Sequence, residues 1–170
     1  MRTLGAILAG GASRRFGSDK ALAMLGGRTL LDHALDALAP HCDAVVVVGR
    51  AGGIADWPRP GMGPLGAIAG ALDRAASEGF AQVLSAPVDC VRLPGDLAAL
   101  LSPAPAFLDS QPVIGLWPVA VLGELKAMLE AEDDLAMRAF ARRIGARAVQ
   151  CDFAPPNINS LADLERLAKS

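Results

Sequence analysis

The sequence predicts an α/β fold, in which a mainly parallel sheet carries helices on both faces in a single three-layer domain. Apolar runs typical of buried strands, at Thr3–Ala9, Ala44–Val48 and Gln82–Ala86, alternate with segments of helical spacing at Leu30–Leu38 and Pro64–Ala76. Strands buried on both faces read as continuous apolar runs, and alternation of strands with helices is typical of parallel sheets. We therefore expect ligands at the carboxyl ends of these strands, where such sheets bind them.

The second half of the chain is less regular. Its predicted elements are a short helix, two extended segments, two helices, a last strand and a terminal helix: Asp96–Leu101, Phe107-Leu108, Val113–Trp117, Val119–Glu130, Asp134–Arg143, Ala146–Cys151 and Leu161–Ala168. Ser160 is a suitable N-cap for the terminal helix. The helix over Asp134–Arg143 would begin with acidic residues and end with arginines, as the helix dipole prefers.

Composition excludes several classes of protein. A chain of 170 residues with 52% hydrophobic and 20% charged residues can bury a core and is not disordered. A net charge of −2 argues against a nucleic-acid partner, and the absence of tyrosine argues against base-stacking surfaces. No apolar run approaches the roughly 20 residues of a membrane span. Three scattered cysteines imply no disulfide framework, so we expect a reducing, cytoplasmic location and no membrane partner.

A glycine-rich loop directly after the first strand is the first candidate site. Gly10-Gly11 would let the backbone approach a ligand closely, and Arg14, Arg15 and Lys20 add positive charge beside it. This combination suits a triphosphate, although the spacing is not that of a Walker A loop. The alternative is an ordinary strand-to-helix turn with solvated arginines. Lysine is scarce in a chain rich in arginine, so Lys20 indicates a need for a compact point charge.

A second glycine-rich segment, Gly61–Gly66, formally matches the dinucleotide fingerprint GxGxxG. The preceding Ala55–Pro60 cannot form the parallel strand that this fingerprint requires, because proline and charged residues interrupt it. The better interpretation is a loop that brings a helix N-terminus at Gly63-Pro64-Leu65 toward a ligand. A purely structural turn remains the alternative.

Asp89 and an asparagine-rich turn are the remaining candidates. Asp89 follows the third strand, where a carboxylate can hold Mg²⁺ against substrate phosphates, or it can simply cap a turn. On their own, Asn157 and Asn159 indicate a structural turn before the last helix. The sequence contains neither a GxSxG elbow nor an HExxH metal motif. Cys90 has no histidine near it in sequence, so it is interpreted as a small buried residue.

Four segments together resemble one family. Leu8–Leu22 matches the pattern LAGGxSxRxGxDKxL, Gly63–Ile68 carries the GPL element, Asp89 follows the third strand, and Asn157–Leu164 is similar to a closing NxNTPEDL element. On these motifs the chain resembles the molybdenum cofactor guanylyltransferases, a group of MobA-like nucleotidyltransferases. The resemblance spans nearly the whole chain. It implies a Rossmann-like sheet of the nucleotidyltransferase type over residues 1–170, with a nucleotide-binding N-terminal half and an acceptor-binding C-terminal half.

The resemblance also implies an activity. GMP would pass from GTP to the phosphate of molybdopterin that carries molybdenum, which yields the guanine dinucleotide cofactor and pyrophosphate. The implied catalytic residues are Lys20, Arg15 and Asp89, and Asp89 would bind Mg²⁺. The implied nucleotide-binding residues are Leu8, Ala9, Gly10, Gly11, Lys20, Asp56 and Asp89. The implied acceptor-binding residues are Asn157 and Asn159. An acceptor phosphate is already a nucleophile, so no general base is expected.

Alternatives remain at this point. The same fold could use CTP, although cytidylyl relatives usually read LAAG where this chain has Gly10-Gly11. It could serve a sugar phosphate, although such chains are usually longer, or be a non-catalytic module that delivers cofactor to a molybdoenzyme. A molybdoenzyme or its chaperone is a further candidate partner, and a monomer or weak oligomer is expected. The chain differs from the family pattern at Val48-Gly49-Arg50, at Gln111-Pro112 and at Ser160-Leu161-Ala162.

Overall fold

The computed structural model describes residues 1–11, 19–156 and 158–170. The strands are β1 (Thr3–Leu8), β2 (Met24–Leu25), β3 (Arg28–Thr29), β4 (Ala44–Val48), β5 (Gln82–Pro87), β6 (Ala106–Leu108), β7 (Gln111–Pro118) and β8 (Arg147–Val149). The α-helices are α1 (Leu30–Leu38), α2 (Gly63–Ser77), α3 (Leu97–Leu100), α4 (Leu122–Glu130), α5 (Met137–Arg143) and α6 (Leu161–Ala168). Short 3₁₀ turns occupy Lys20–Leu22, Ala39–His41 and Val119–Val121.

Within these ranges the strands form a six-stranded sheet in the order β4-β1-β5-β7-β6-β8, and β2 and β3 form a separate hairpin. β1 pairs in parallel with β4 and β5, and Leu8 is aligned with Val48 on one side and Pro87 on the other. β7 runs antiparallel to β5 and β6, whereas β8 is parallel to β6. The sheet is therefore mixed but mostly parallel, with β5 and β7 at its centre and β1 next to the edge strand β4.

Helices cover both faces of this sheet. Successive residues of a strand point to opposite faces, so Val83 packs with α2, α4 and α5 while the next residue, Leu84, packs with α1 and α3. β1 shows the same alternation, with Ala6 on the α2 side and Ile7 on the α1 side. This arrangement confirms the three-layer α/β/α fold that the alternating apolar runs predict.

Two helices begin at capping boxes that the sequence encodes locally. In α1 the Thr29 hydroxyl accepts from the Asp32 amide, and the Asp32 carboxylate accepts from the Thr29 amide. Ser160 and Asp163 form the same reciprocal pair at the start of α6. Such boxes satisfy backbone donors that a helix leaves unpaired. The predicted starts of α1 and α6 are therefore correct to the residue.

Several predicted bounds differ from the observed ones, and one hairpin was not predicted. The helix expected over Asp134–Arg143 begins only at Met137, because the Asp134 carboxylate accepts from the Ala136 amide and closes a turn before it. The last strand is shorter than Ala146–Cys151, since its partner β6 has only three residues. The β2–β3 hairpin was not predicted, although Gly26-Gly27 is a typical two-residue hairpin turn.

A buried polar link joins the antiparallel half of the sheet to the parallel half. The Ser85 hydroxyl of β5 donates to the Val113 carbonyl oxygen (2.6 Å) and accepts from the Trp117 indole N–H (2.8 Å). The Trp117 ring lies over Gly115, where a Cβ atom would stand only 2.2 Å from it. Every polar atom of the pair is thus satisfied. The link fixes β7, and with it Val113, beside the carboxyl end of β5.

The chain topology opens a crevice at the carboxyl edge of the sheet. The segment after β1 leads to α1 on one face, whereas the segment after β4 leads to α2 on the other face. Neighbouring parallel strands whose connections leave to opposite faces leave a gap between their carboxyl ends, and α/β proteins bind ligands there. Among the helices of the described ranges, none is both long and apolar enough to cross a membrane.

Candidate functional site

A cavity of about 740 Å³ occupies this crevice. Its volume is within the range of small-molecule sites. Residues from β1, from the segment between β4 and α2, from the first turn of α2, and from β5 and β7 line it: Leu8, Gly10, Gly11, Gly49, Arg50, Ala51, Ala55, Asp56, Pro60, Gly61, Gly63, Pro64, Ala67, Pro87 and Val113. The cavity thus unites the first glycine-rich loop, the second glycine-rich segment and Asp56, which the sequence analysis had singled out separately.

Two glycines in backbone contact form one wall of the cavity. A Cβ atom on Gly49 would lie 2.8 Å from both Cα and N of Gly10, and one on Gly10 would lie 3.1 Å from Cα of Gly49. Gly49 also has a φ of +87°, in the left-handed region that favours glycine. No side chain fits between the two segments, so the ends of β1 and β4 close directly on each other. Any side chain at position 49 would therefore require a different backbone here.

The N-terminus of α2 faces the cavity. Gly63 begins the helix, Pro64 follows in its first turn, and the N-cap Met62 makes no side-chain capping bond. The first turn of α2 carries no acidic residue. The N–H groups of a first turn point outward with a partial positive charge, which favours an anion or a hydrogen-bond acceptor. The interpretation of Gly61–Gly66 as a loop that presents a helix N-terminus is thus confirmed in its geometry.

Asp56 is held over the cavity by its two neighbours in the sequence. The carbonyl oxygen of Ala55 packs so closely on α2 that a Cβ atom on Gly70 would stand 2.2 Å away. On the other side, the Trp57 amide donates to the carbonyl oxygen of Gly66 (3.0 Å). Gly66 and Gly70 are one helical turn apart and lie on the same face of α2. This glycine face lets the loop dock and aims the Asp56 side chain at the cavity.

The Asp56 carboxylate is electrostatically unsatisfied. Its Oδ1 is buried and has no hydrogen-bond partner among the described residues. Burial raises the pKa of the carboxyl group, and hydrogen bonding by the Gly61 backbone opposes the rise only in part. A buried acceptor without a partner is costly, so a ligand that donates hydrogen bonds here would be bound favourably. Oδ1 of Asp56 is therefore a hydrogen-bond acceptor that is available to a ligand in the cavity.

Lys20 and Asp89 meet beyond the end of β5. The Lys20 ammonium group donates to Oδ2 of Asp89 at 3.0 Å, and their side chains are only 18% and 12% exposed. Asp89 stands two residues after Pro87, which lines the cavity. A turn in which the Cys90 amide donates to the Pro87 carbonyl oxygen presents the Asp89 side chain. The structure thus brings together two residues that lie 69 positions apart in sequence.

A second ion pair was missed by the sequence analysis. Arg50 follows β4 and lines the cavity, and its Nη1 donates to Oδ1 of Asp19 at 2.7 Å. This hydrogen bond is the main cause of the lowered pKa of the Asp19 carboxyl group. The sequence had marked Arg50 only as part of a departure from the family pattern. The available signal was its place directly after a parallel strand, where ligand-binding residues collect.

The donor set suits a divalent cation only if the substrate completes it. In residues 1–11, 19–156 and 158–170, no cluster of three or more His, Cys, Asp or Glu side chains could hold a metal ion. Asp89 offers a buried carboxylate with one oxygen bonded to Lys20. A hard cation commonly takes one or two protein carboxylates together with phosphate oxygens and water. Asp89 therefore fits a metal ion that is shared with a bound phosphate chain.

Cys90 next to Asp89 is not a nucleophile. Its side chain is 1% exposed, and burial raises the pKa of the thiol far above neutral. A thiol that stays protonated is a poor nucleophile and a poor metal ligand. The prediction that Cys90 is a small buried residue is therefore confirmed.

Of the other predicted site residues, Leu8 lines the cavity, Ala9 and Asn159 do not, and two lie outside the described residues. The Ala9 amide donates to the Val48 carbonyl oxygen (3.0 Å), and the Leu8 carbonyl oxygen accepts from the Val88 amide (3.1 Å), so these backbone groups serve the sheet. Asn159 precedes α6, and its amide donates to Asp163 at 2.9 Å; it does not line the cavity. Arg15 and Asn157 lie outside the residues that the structure describes.

The chain is similar to known proteins over most of its length. The sequence profile of the MobA-like NTP transferase domain matches residues 5–148. Two proteins named molybdenum cofactor guanylyltransferase are similar over almost their whole length. The one from Acidiphilium cryptum is 40% identical over 94% of this chain and 90% of its own. The one from Cereibacter sphaeroides is 38% identical over 98% and 95%.

Solved structures share the fold. Molybdopterin-guanine dinucleotide biosynthesis protein A from Archaeoglobus fulgidus superposes with a TM-score of 0.77 at 20% identity and covers 98% of this chain and 97% of its own. A Mycobacterium tuberculosis protein, Rv0371c, solved in complex with manganese, superposes with a TM-score of 0.66 at 17% identity over the full length of both chains. Together with the profile match and the near-full-length relatives, they lead to one conclusion: this chain belongs to the MobA-like nucleotidyltransferase family, in the group of the molybdenum cofactor guanylyltransferases.

Proposed function

We propose that this protein transfers GMP from GTP to the terminal phosphate of molybdopterin that carries molybdenum. The products are the guanine dinucleotide form of the cofactor and pyrophosphate. The observation that carries the proposal is the cavity at the carboxyl edge. There a glycine wall, a helix N-terminus without a side-chain cap and a buried Asp56 oxygen with no partner among the described residues meet beside the Lys20–Asp89 pair. Relatives that are 38–40% identical over nearly the whole chain bear the name of this activity.

The cavity chemistry favours a guanine nucleotide. Asp56 supplies a buried carboxylate oxygen that has no hydrogen-bond partner among the described residues. Guanine presents two adjacent donors, N1–H and the N2 amino group, that a carboxylate can accept, whereas cytosine and adenine lack a ring N–H on their Watson–Crick edge. We assign Asp56 to the base or ribose and the backbone of Leu8, Ala9, Gly10 and Gly11 to the rest of the nucleotide. Arg15 and Lys20 would meet the triphosphate.

The reaction needs charge neutralisation rather than a general base. An oxygen of the acceptor phosphate attacks the α-phosphorus of GTP, a new P–O bond forms, and the bond to pyrophosphate breaks. Lys20 would stabilise the negative charge on the reacting phosphate oxygens, since fixed cations aimed at developing charge are worth most where water is excluded. Among the described residues that line the cavity the one carboxylate is Asp56, which is assigned to the base or ribose, and no histidine is present; this is consistent with a phosphate nucleophile.

The metal ion is proposed to be Mg²⁺. Members of this family use a divalent cation, and Mg²⁺ is the common partner of nucleoside triphosphates. Asp89 would hold it against the phosphate chain of GTP, where it would neutralise charge on the leaving pyrophosphate. Lys20 keeps the Asp89 carboxylate oriented at the end of β5 through the 3.0 Å hydrogen bond.

The other assignments follow from the same proposal. We propose one domain over residues 1–170, in which the N-terminal half binds the nucleotide and the C-terminal half binds the acceptor, with Asn157 and Asn159 among its contacts. We further propose a cytoplasmic monomer or weak oligomer without a nucleic-acid or membrane partner. A molybdoenzyme or its chaperone would receive the product.

The proposal predicts that the protein binds GTP in preference to CTP and ATP. Calorimetric titration with each nucleotide in Mg²⁺ measures the preference, and transfer to molybdopterin with release of pyrophosphate measures the activity. Omission of the metal ion, or its replacement by Mn²⁺, tests the cation. Preference for CTP would instead assign the protein to the cytosine form of the cofactor. Failure to bind any nucleotide, with or without molybdopterin, would contradict the proposal.

Replacement of Lys20 by alanine should lower turnover about a hundredfold to a thousandfold, because the reacting phosphate loses a fixed positive charge. Steady-state kinetics with GTP measures the effect, and thermal melting shows whether the fold is kept. Lys169→Ala is the matched control, since Lys169 is exposed at the end of α6 and does not line the cavity. Equal losses in both variants, or near-normal turnover of Lys20→Ala, would remove Lys20 from the site.

Replacement of Gly49 by alanine should weaken GTP binding about tenfold, because overpacking typically costs 1–3 kcal/mol. The new Cβ atom would press on Gly10 at 2.8 Å. Gly52→Ala separates this crowding from backbone strain: Gly52 has a similar φ of +81° but no atom within 4 Å of its Cβ position. The dissociation constants of GTP for the two variants distinguish crowding from backbone strain. If they change alike, contact between the two glycines does not shape the nucleotide site.

Replacement of Asp56 by asparagine should weaken GTP binding about tenfold to a hundredfold at neutral pH, because a charged acceptor is lost. Burial raises the pKa of Asp56 above its ordinary value of 3.8, and a donor ligand favours the ionised form. The affinity of the wild-type protein should therefore fall as the pH drops toward that raised pKa. The ratio of wild-type to variant affinity cancels the titration of GTP itself. A ratio that stays constant between neutral and acidic pH would contradict this role.

A further inference from the structure

Two consecutive residues of opposite charge, Asp19 and Lys20, form ion pairs with residues that follow two different strands of the sheet. β1 lies between β4 and β5. Asp19 pairs with Arg50, which follows β4, and Lys20 pairs with Asp89, which follows β5. Asp19 and Lys20 are therefore linked to the segments that follow both neighbours of β1. Asp19 supplies the negative charge in one pair, and Lys20 supplies the positive charge in the other. Loss of either ion pair would separate one of these two residues from its neighbouring strand.

Asp19 combines two interactions on one oxygen atom. Its Oδ1 accepts from the Ala21 amide at 3.2 Å, which caps the 3₁₀ turn over Lys20–Leu22. The same Oδ1 accepts from Nη1 of Arg50 at 2.7 Å across 31 residues of sequence. The cap needs only a side-chain oxygen and is local. The bond from Arg50 adds what the cap cannot provide, which is a fixed position of the turn relative to β4.

The exposure of the pair argues against a role in global stability. The side chain of Asp19 is 45% exposed and that of Arg50 is 22% exposed. Ion pairs that reach solvent contribute little to the stability of a fold. The catalytic rate depends on position in a way that fold stability does not, because a small misplacement of a group that contacts the transition state lowers the rate strongly. Lys20 is covalently next to Asp19, so the position of Asp19 sets where the Lys20 side chain begins.

We propose that Arg50 is a positioning residue, which acts through Asp19 to fix the backbone of Lys20 so that its ammonium group, beside Asp89, meets the triphosphate. This inference rests on the proposed function. It assigns a task to a residue that stands where this chain departs from the family pattern. Arg50 also lines the cavity, and direct contact with the nucleotide is the competing role.

A double-mutant cycle separates the two roles. Arg50→Met removes the charge and keeps much of the stem, and Asp19→Asn keeps an oxygen that can cap the turn. Each single variant should lower kcat on the order of tenfold, because Lys20 is misplaced, and change the KM for GTP little. The kcat of the double variant should be no lower than that of the less active single variant, since both substitutions break the same Arg50–Asp19 ion pair. Additive losses, or a raised KM with normal kcat in Arg50→Met, would overturn the proposal in favour of direct binding.

A second readout keeps the inference distinct from the proposed function. Hydrogen exchange of the Ala21 and Leu22 amides in the nucleotide-free protein should accelerate in Arg50→Met, because the turn over Lys20–Leu22 is loosened. Arg74→Met is the matched control, since it breaks the exposed Arg74–Glu78 pair at the far end of α2. Unchanged exchange in Arg50→Met, or equal change in both variants, would overturn the positioning role. Absence of transfer by the wild-type protein would instead refute the proposed function.

Discussion

The backbone contact between Gly10 and Gly49 determines the shape of the carboxyl edge. Because neither residue has a side chain, the ends of β1 and β4 approach until a Cβ atom on Gly49 would stand 2.8 Å from Gly10. The two segments that leave these strands then diverge to opposite faces of the sheet, and the cavity opens above their contact. Arg50 comes next after Gly49 and so lies within reach of Asp19. The Arg50–Asp19 ion pair and this wall of the cavity therefore both depend on the contact between two small residues.

The part of the cavity wall that carries Asp56 depends on close packing of the loop before α2 against that helix. Gly66 and Gly70 lie on one face of the helix and leave room for the backbone of the loop before it. That packing fixes Ala55 and Trp57, and Asp56 between them is turned inward. The cost is a buried carboxylate oxygen that lacks a hydrogen-bond partner in the part of the chain that the structure describes. Unsatisfied polar groups are rare in folded proteins and tend to mark functional positions, where a ligand completes the hydrogen bonding.

Local signals predicted most of the fold, and contacts between distant segments account for what was missed. The bounds of α1, β4 and α6 could be predicted because capping residues or flanking turn residues stand next to each apolar pattern. The late start of α5 could not, because it depends on a turn closed by Asp134. Asp56 and Asp89 were found through position and resemblance. Arg50 was not assigned a role, because its partner Asp19 lies 31 residues away and no local pattern announces the pair.

The chemistry of the site explains why its residues are so few. Cys90 is held protonated by burial, and neither of the two histidines lines the cavity. A phosphate that attacks a phosphate brings its own nucleophile and needs no proton removed. What remains for the protein is to hold two anionic substrates together against their mutual repulsion, which requires fixed positive charge and fixed geometry. Close backbone contact between Gly10 and Gly49 and the ion pairs of Asp19 and Lys20 provide both.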